Sequence, residues 1–323
     1  MPPPGSADGG RGGAERSAGV RDRYARRMTD ADPTSRPALF DGPIDLHLHS
    51  NRSDGTEDPA TLVERAVQEG LGTIALTDHD TTAGWVDAAA AATAHGMTFI
   101  PGMELSAKDG WRSVHVLAYL FDPMDPDLAA ETARIREDRI GRAERIVRGI
   151  ARDYPLRWED VLEQTDPGAT VGRPHIADAL VARGIVRDRG EAFDGILHPR
   201  QGYYEAHYAP DPLTAIELVV GAGGVPVIAH PAGRERMTDA TLRRLIDAGL
   251  AGLEIDHREN TVEGRAWLRG IAAENDLIVT GSSDYHGAGK PNVPGENTTD
   301  PAMLQRIIDS GFGSAPVYPV RSR

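Results

Sequence analysis

The sequence predicts an α/β fold with a largely parallel sheet and a mainly helical block inserted into it. Three observations predict this. Short apolar runs of strand length alternate with stretches of helical spacing from Ile44 onward. Polar residues gather where those runs end, as at Asp78-His79-Asp80 and Ser283-Asp284-Tyr285-His286. From about residue 125 to residue 205 the strand runs stop, and a charged, helix-patterned block replaces them.

Composition narrows the choice. A chain of 323 residues allows one large α/β domain or two modest ones. Aromatic residues make up only 5%, so the core must be built from Ala, Val, Leu and Ile. No apolar run reaches about 18 residues, and no signal-type apolar segment is visible, so the expectation is a cytoplasmic protein without a membrane span. There is no cysteine, which excludes disulfides and thiolate ligands and leaves His, Asp and Glu for any metal. A net charge of −14 gives no long-range attraction for nucleic acid. Phosphate would have to be met by local cations or by bound divalent ions.

Residues 1–42 are rich in Gly, Pro, Ser and Arg without hydrophobic period and are read as a disordered tail. The arginines from Arg11 to Arg27 are isolated charges, and Met28 is an alternative start. Ile44, Leu46 and Leu48 then alternate with Asp45, His47 and His49, which reads as a strand. The alternation puts His47 and His49 on one face, where two imidazoles can grip one metal ion. A polar turn follows and ends in Asp54-Gly55. Asp58-Pro59 opens a helix that Gly70 closes. Thr73 to Thr77 is a buried strand delivering His79, and the Ala-rich residues 83–95 form the next helix. Met97 to Gly102 is a strand delivering Glu104, and Val114 to Leu120 is a strand carrying His115.

The inserted block, 125–205, begins with a helical run from Leu128 to Ile150 and later places Gly172-Arg173-Pro174-His175 at a helix start. Strand–helix alternation resumes with a helix over Leu213–Val220 and a strand over Val225–Ala229 that ends in His230. A helix over Leu242–Ala248, a strand at Gly252–Ile255 and a strand over Leu277–Gly281 follow, the last delivering Asp284 and His286. Ala302–Ser310 is a closing helix. The main domain is thus 43–124 together with 206–323.

Collected, His47, His49, Asp54, His79, Glu104, His115, His230, Asp284 and His286 sit where strands end. In parallel α/β folds that edge is where sites are built. One such residue is usually structural, but nine together call for metal. A zinc-type ion takes about four or five ligands, so nine suit two or three ions with bridging carboxylates. Ions a few ångström apart clamp the attacking and leaving oxygens of a phosphoester and activate a bridging hydroxide.

The set His47-Leu-His49 with Ser53-Asp54-Gly55, Thr77-Asp78-His79-Asp80, Gly102-Met103-Glu104, His115, Ala229-His230-Pro231 and Gly281-Ser-Ser-Asp284-Tyr-His286 resembles the PHP (polymerase and histidinol phosphatase) family of metal-dependent phosphoesterases. The resemblance spans nearly everything after residue 43. It implies a distorted seven-stranded (β/α)7 barrel with a trinuclear centre of divalent transition metals, manganese foremost, with iron or zinc as alternatives. It also implies that His47, His49, Glu104 and Asp284 hold one ion, Glu104, His115 and His230 a second, and Asp54, His79 and His286 a third. The catalytic set so implied is His47, His49, Asp54, His79, Glu104 and Asp284. Some members have histidine where this chain has Asp54, a substitution of the nucleotidase-like branch.

Gly172-Arg173-Pro174-His175-Ile176-Ala177 resembles the inserted motif of members that act as 3′,5′-nucleotide bisphosphate phosphatases and 5′-to-3′ exoribonucleases. The likeness implies that Arg173 and His175 face a substrate phosphate, and arginine's planar fork suits that role. His207 and Lys290 are further candidate phosphate contacts. Tyr203, Tyr204 and Trp111 are candidates for stacking a base, with packing the favoured role for each. His95, His198 and His257 match no motif. The substrate implied is a nucleotide or short oligonucleotide with a terminal phosphate, with no obligate protein partner evident. A histidinol-phosphatase-like enzyme and a non-catalytic interaction module are the alternatives. Asp54 and the Arg-Pro-His insertion count against the first, and the complete ligand set against the second.

Overall fold

The computed structural model describes residues 42–233 and 236–320. Apart from Gly42, the disordered tail expected over 1–42 lies outside the described residues. Seven strands form one sheet in sequential order: β1 (Ile44–Leu48), β2 (Thr73–Leu76), β3 (Thr98–Asp109), β4 (Arg112–Tyr119), β5 (Val225–Ile228), β6 (Gly252–Asp256) and β7 (Ile278–Gly281). A bridge between Leu48 and Tyr285, with His49 N–H donating to the Tyr285 carbonyl at 2.9 Å, nearly closes the sheet into a barrel.

The sheet is parallel over β1–β3 and over β5–β7, but β4 runs antiparallel to both neighbours. Two expectations change with it. Glu104 does not follow the end of its strand: β3 continues to Asp109 and turns back as a hairpin, so Glu104 lies within it. Because β4 runs the other way, its first half faces the edge where its neighbours end, and His115 reaches that edge from there.

The helices follow from simple local signals. Asp58-Pro59, Asp125-Pro126, Asp211-Pro212 and Asp300-Pro301 each start one, over α1 (Pro59–Gln68), α3 (Pro126–Ile150), α7 (Pro212–Gly221) and α10 (Pro301–Ser310). In each the aspartate carboxylate accepts from N–H groups of the first turn, and proline takes a position whose N–H has no helical partner. Such a cap is worth about 1 kcal/mol. Trp85–Ala94 (α2) and Asp239–Asp247 (α8) complete the expected set around the barrel. One barrel helix escaped sequence reading, Val262–Glu274 (α9). Gly264 and Gly270 lower its helical signal, yet Gly264 is required: a Cβ there would lie 2.6 Å from Ala232 Cβ.

The barrel interior holds Ile44, Leu46, Ala75, Ile100, Leu117, Val225 and Val227, with Tyr119 donating its hydroxyl to the Leu46 carbonyl at 3.0 Å. Between β4 and β5 lie α3, α4 (Trp158–Leu162), α5 (Arg173–Ala182) and α6 (Arg189–Asp194). Helix α3 serves two cores. Leu128 and Ile135 pack on the barrel side, whereas Ile146, Val147 and Ile150 pack with Leu156, Val161, Ile176 and Leu180 of the insertion. The connection near Tyr208 is tied down. Its N–H donates to Asp138 at 2.6 Å, its hydroxyl to Glu131 at 2.6 Å, and the Arg134 guanidinium lies 3.6 Å from its ring centroid.

Candidate metal centre

Three groups of donor atoms converge at one edge of the barrel: His47, His49, Glu104 and Asp284; His49, Asp54, His79 and His286; and His79, Glu104 and His115. In the first group His47 Nε2 lies 3.0 Å from His49 Nε2, 3.2 Å from Glu104 Oε2 and 3.5 Å from Asp284 Oδ1. His49 Nε2 is 3.0 Å from Glu104 Oε2 and 3.4 Å from Asp284 Oδ1. In the second, Asp54 Oδ1 is 3.1 Å from His286 Nε2, and Asp54 Oδ2 is 3.8 Å from His79 Nε2. In the third, Glu104 meets His79 Nδ1 at 3.2 Å and His115 Nδ1 at 2.6 Å. Glu104 thus belongs to two groups, as do His49 and His79. His230 stands farther out, its Nε2 3.8 Å from Glu104 Oε1.

The donor set fits divalent metal. Asp54 Oδ1, His79 Nδ1 and His286 Nε2 are buried and make no hydrogen bond, although each has an oppositely natured atom close by. Buried polar atoms almost always find partners, so atoms that crowd without aligning point at a shared centre instead. The carboxylates stay ionised despite burial. Burial would raise Glu104, but His115, His79 and His47 hold it well below the usual range. His286 and His79 do the same for Asp54 against its burial, and Lys290 and His286 for Asp284. Burial pushes His79 and His286 down, toward the neutral imidazole that ligates.

A layer of hydrogen bonds holds these donors. Asp78 accepts from Ser50 N–H at 2.8 Å, Ser50 Oγ at 2.6 Å and Ser53 Oγ at 2.7 Å, fixing the turn that carries Asp54. Gly55 completes that turn because a Cβ there would sit 2.2 Å from the His49 carbonyl oxygen. Asp45 accepts from Ser283 N–H and Gly295 N–H, joining β1 to the segment that bears Asp284. Asp80, His230 and Asp284 adopt φ values of +55°, +32° and +55° at strand ends, strained for ordinary side chains and commonest at functional positions.

Sequence reading missed two residues. Glu254 Oε1 meets His47 Nδ1 at 3.0 Å, while its Oε2 accepts from His230 N–H at 3.0 Å. His257 is fully buried with Nε2 3.7 Å from Asp284 Oδ2. Glu254 sits in the middle of β6 and His257 just beyond its C-terminal end, so the strand-end rule used elsewhere would have found His257 alone.

The insertion meets the centre at its turn. Arg189, paired with Asp178, donates to the Asp54 carbonyl at 3.2 Å, and Thr170 N–H donates to the Arg52 carbonyl at 2.9 Å. His175 is buried, accepts from Gly172 N–H through Nδ1 at 3.1 Å, and senses the charge of Asp54. Arg173 has no hydrogen bond or ion pair among the described residues. Its guanidinium lies 5.4 Å from the Phe193 ring centroid and 5.5 Å from that of Tyr204. Arg142, buried, lies 5.4 Å from the Tyr204 centroid. Burial and the charges of Arg139, Arg142 and Lys108 push His207 down to about 2. Lys290 donates to Asp284 Oδ2 at 2.7 Å. Tyr203 donates to Asp153, and Trp111, for which packing was expected, is exposed instead.

Residues 45–148 match the PHP domain model. The chain is 36% identical over 276 residues to a 3′,5′-nucleoside bisphosphate phosphatase from Chromobacterium violaceum, covering 82% of this chain and 94% of that protein. It is 35% identical over 248 residues to a 5′-3′ exoribonuclease from Haemophilus influenzae, covering 75% and 89%. A Bifidobacterium adolescentis structure classed as a metal-dependent phosphoesterase superimposes with a TM-score of 0.82 at 43% identity, covering 86% of this chain and 98% of that one. A seven-stranded barrel whose buried histidines and carboxylates crowd one edge, with these relatives, establishes that the chain belongs to the PHP domain family of metal-dependent phosphoesterases.

Proposed function

We propose that this phosphoesterase hydrolyses phosphate esters of nucleotides, taking a 3′,5′-bisphosphorylated nucleotide or the phosphorylated 5′ end of a short strand. The observation that carries the reading is a cationic wall beside an acidic metal centre in a chain of net charge −14. Arg139, Arg142, Arg173 and Lys108 lie in one neighbourhood where their charges act on each other, and His207 feels Arg139, Arg142 and Lys108 together with His115. Such a wall suits an anion with more than one phosphate: one group at the metal centre, another against the arginines. The names of the two curated relatives agree with that substrate class.

His47, His49, Glu104 and Asp284 would hold one ion, Glu104, His115 and His230 a second, and Asp54, His79 and His286 a third. The geometry adds His79 as a neighbour of the second group. Imidazole and carboxylate donors without thiolate suit manganese or iron, and we take manganese as the working metal. Bound metal supplies Lewis-acid polarisation of the phosphoryl oxygens and a hydrolytic water of lowered pKa. The chain's own residues do the rest. Arg173, set near two aromatic rings instead of against a carboxylate, keeps its N–H fork for phosphate. The Gly172 N–H donating to His175 Nδ1 places that ring's proton on Nε2, making it a donor toward a substrate oxygen. Lys290 helps to keep Asp284 anionic. The insertion, 125–205, forms the substrate wall. No helix among the described residues is long and apolar enough to cross a membrane. We assign the protein to the cytoplasm, where such nucleotides arise.

The test is a product-resolved assay with manganese, 3′,5′-bisphosphorylated adenosine and 5′-phosphorylated RNA. Release of phosphate or mononucleotides is expected. Turnover of generic phosphomonoesters with neither nucleotide substrate cleaved would overturn the reading.

A further inference from the structure

One face of the β3–β4 hairpin runs from the metal centre out to solvent. Glu104, Ser106 and Lys108 alternate along β3. Glu104 belongs to the centre, Ser106 Oγ accepts from Arg139 at 2.6 Å, and the Lys108 ammonium donates to the His207 carbonyl. Ser106 pairs with His115 and Lys108 with Ser113, whose hydroxyl is 3.3 Å from His115 Nε2. This face therefore presents metal donors first, then Arg139, whose guanidinium lies 3.1 Å from the buried Asp80 carboxylate, and then the Lys108 ammonium.

At its end stands Trp111. Asp109 pairs with Arg112, so Gly110 and Trp111 form a two-residue turn, with Gly110 at φ +64° as a primed hairpin turn requires. The Trp111 ring is 77% exposed, while Trp85, Trp158 and Trp267 are half-buried. The Arg112 guanidinium lies 6.0 Å from its centroid. Trp111 lies in the turn at the end of the hairpin, four residues from His115. At strand rise this is about 13 Å, beyond the reach of the base of a nucleotide whose phosphate sits at the centre.

We propose that Trp111 is a stacking platform for an unpaired nucleobase a few nucleotides downstream of the phosphorylated end, with Lys108 as a cation along the intervening backbone. Base–aromatic stacking tolerates any sequence, since every base has a π-face. Strand substrates then gain a contact that mononucleotides lack. The inference rests on the nucleotide reading above and extends it from a terminal phosphate to a strand.

The experiment compares wild type, Trp111→Ala and Trp111→Phe on 3′,5′-bisphosphorylated adenosine and on 5′-phosphorylated pentaadenylate, as RNA and as DNA, with tryptophan fluorescence titrated by each pentamer. Trp111→Ala should lower kcat/KM for the pentamer by roughly five- to a hundredfold and leave the mononucleotide within about twofold. Trp111→Phe should keep most pentamer activity while losing the pentamer-induced quenching. An effect on both pentamers assigns the base as the recognised group, and an effect on RNA alone assigns the ribose strand. Equal losses on pentamer and mononucleotide would overturn the platform. So would unchanged kinetics and quenching, which would leave the exposed ring to a protein partner. Wild type that cleaves the bisphosphate but no pentamer overturns the platform and spares the phosphatase reading. If neither is cleaved, that reading fails, and the quenching titration still decides whether Trp111 stacks a base.

Discussion

Glu254 and His47 meet at 3.0 Å across 207 positions of chain, both fully buried. The carboxylate takes Nδ1 of an imidazole whose Nε2 faces Glu104 and Asp284. Partners of this kind fix a ligating ring and raise its basicity, and their loss typically costs ten- to a hundredfold in metal affinity or activity. Glu254→Gln should therefore weaken metal binding by about tenfold or more, read by titration of chelator-stripped protein. Unchanged affinity would remove Glu254 from the site's support.

Asp284→Asn isolates charge from backbone. Asparagine tolerates the left-handed φ of +55° that Asp284 adopts, so the chain path should survive. The substitution should cost at least one ion per chain by elemental analysis and abolish turnover. Stripping wild type with a chelator should also abolish turnover, and manganese should restore it. Full metal content in Asp284→Asn would contradict the ligand assignment.

Arg173→Ala should leave metal content intact and lower kcat/KM, since Arg173 touches no donor of the centre. A hydrogen bond to a charged group is worth about 1.5–3 kcal/mol, or roughly ten- to a hundredfold. Arg173→Lys should recover only part, because an ammonium lacks the planar fork. Loss of metal in either variant would show that Arg173 supports the centre instead.

His207 carries a pH signature. Its folded pKa of about 2 lies below the ordinary value near 6.5. As pH falls below about 6.5, the unfolded chain takes up a proton that the folded chain refuses, so stability falls with pH. His207→Gln should lose this dependence. Its unfolding free energy should decline less steeply from about pH 6 to pH 4, by up to about 1.4 kcal/mol per pH unit. Denaturant unfolding at several pH values measures it, and parallel curves would place His207 in water.

Much of the centre was legible because chemistry and period coincide. His47 and His49 follow strand alternation, and His79, Asp284 and His286 follow apolar runs. Asp58-Pro59 marked a helix start because cap and proline act locally. What escaped depends on contacts distant in sequence. The antiparallel course of β4 follows from hairpin pairing with a longer β3, which an apolar run alone does not announce. Glu254 looked like an ordinary polar residue in a strand, and only folding brings it to His47. Helix α9 was hidden by Gly264, a residue chosen for close approach to Ala232 rather than for helix propensity. The exposure of Trp111 followed from a two-residue turn whose signal, Asp109-Gly110, stood in the sequence but was not read as a hairpin.

The seam between β1 and β7 has a consequence for synthesis. His47 and His49 leave the ribosome early, and Asp284 and His286 come more than 230 residues later. Long-range pairings of this kind form slowly, and domains generally fold as units during synthesis. Until the bridge from Leu48 to Tyr285 forms, the nascent chain carries half a coordination site. Hydrolytic activity should therefore switch on as one late event, when the last strand docks, and not grow gradually as the barrel assembles.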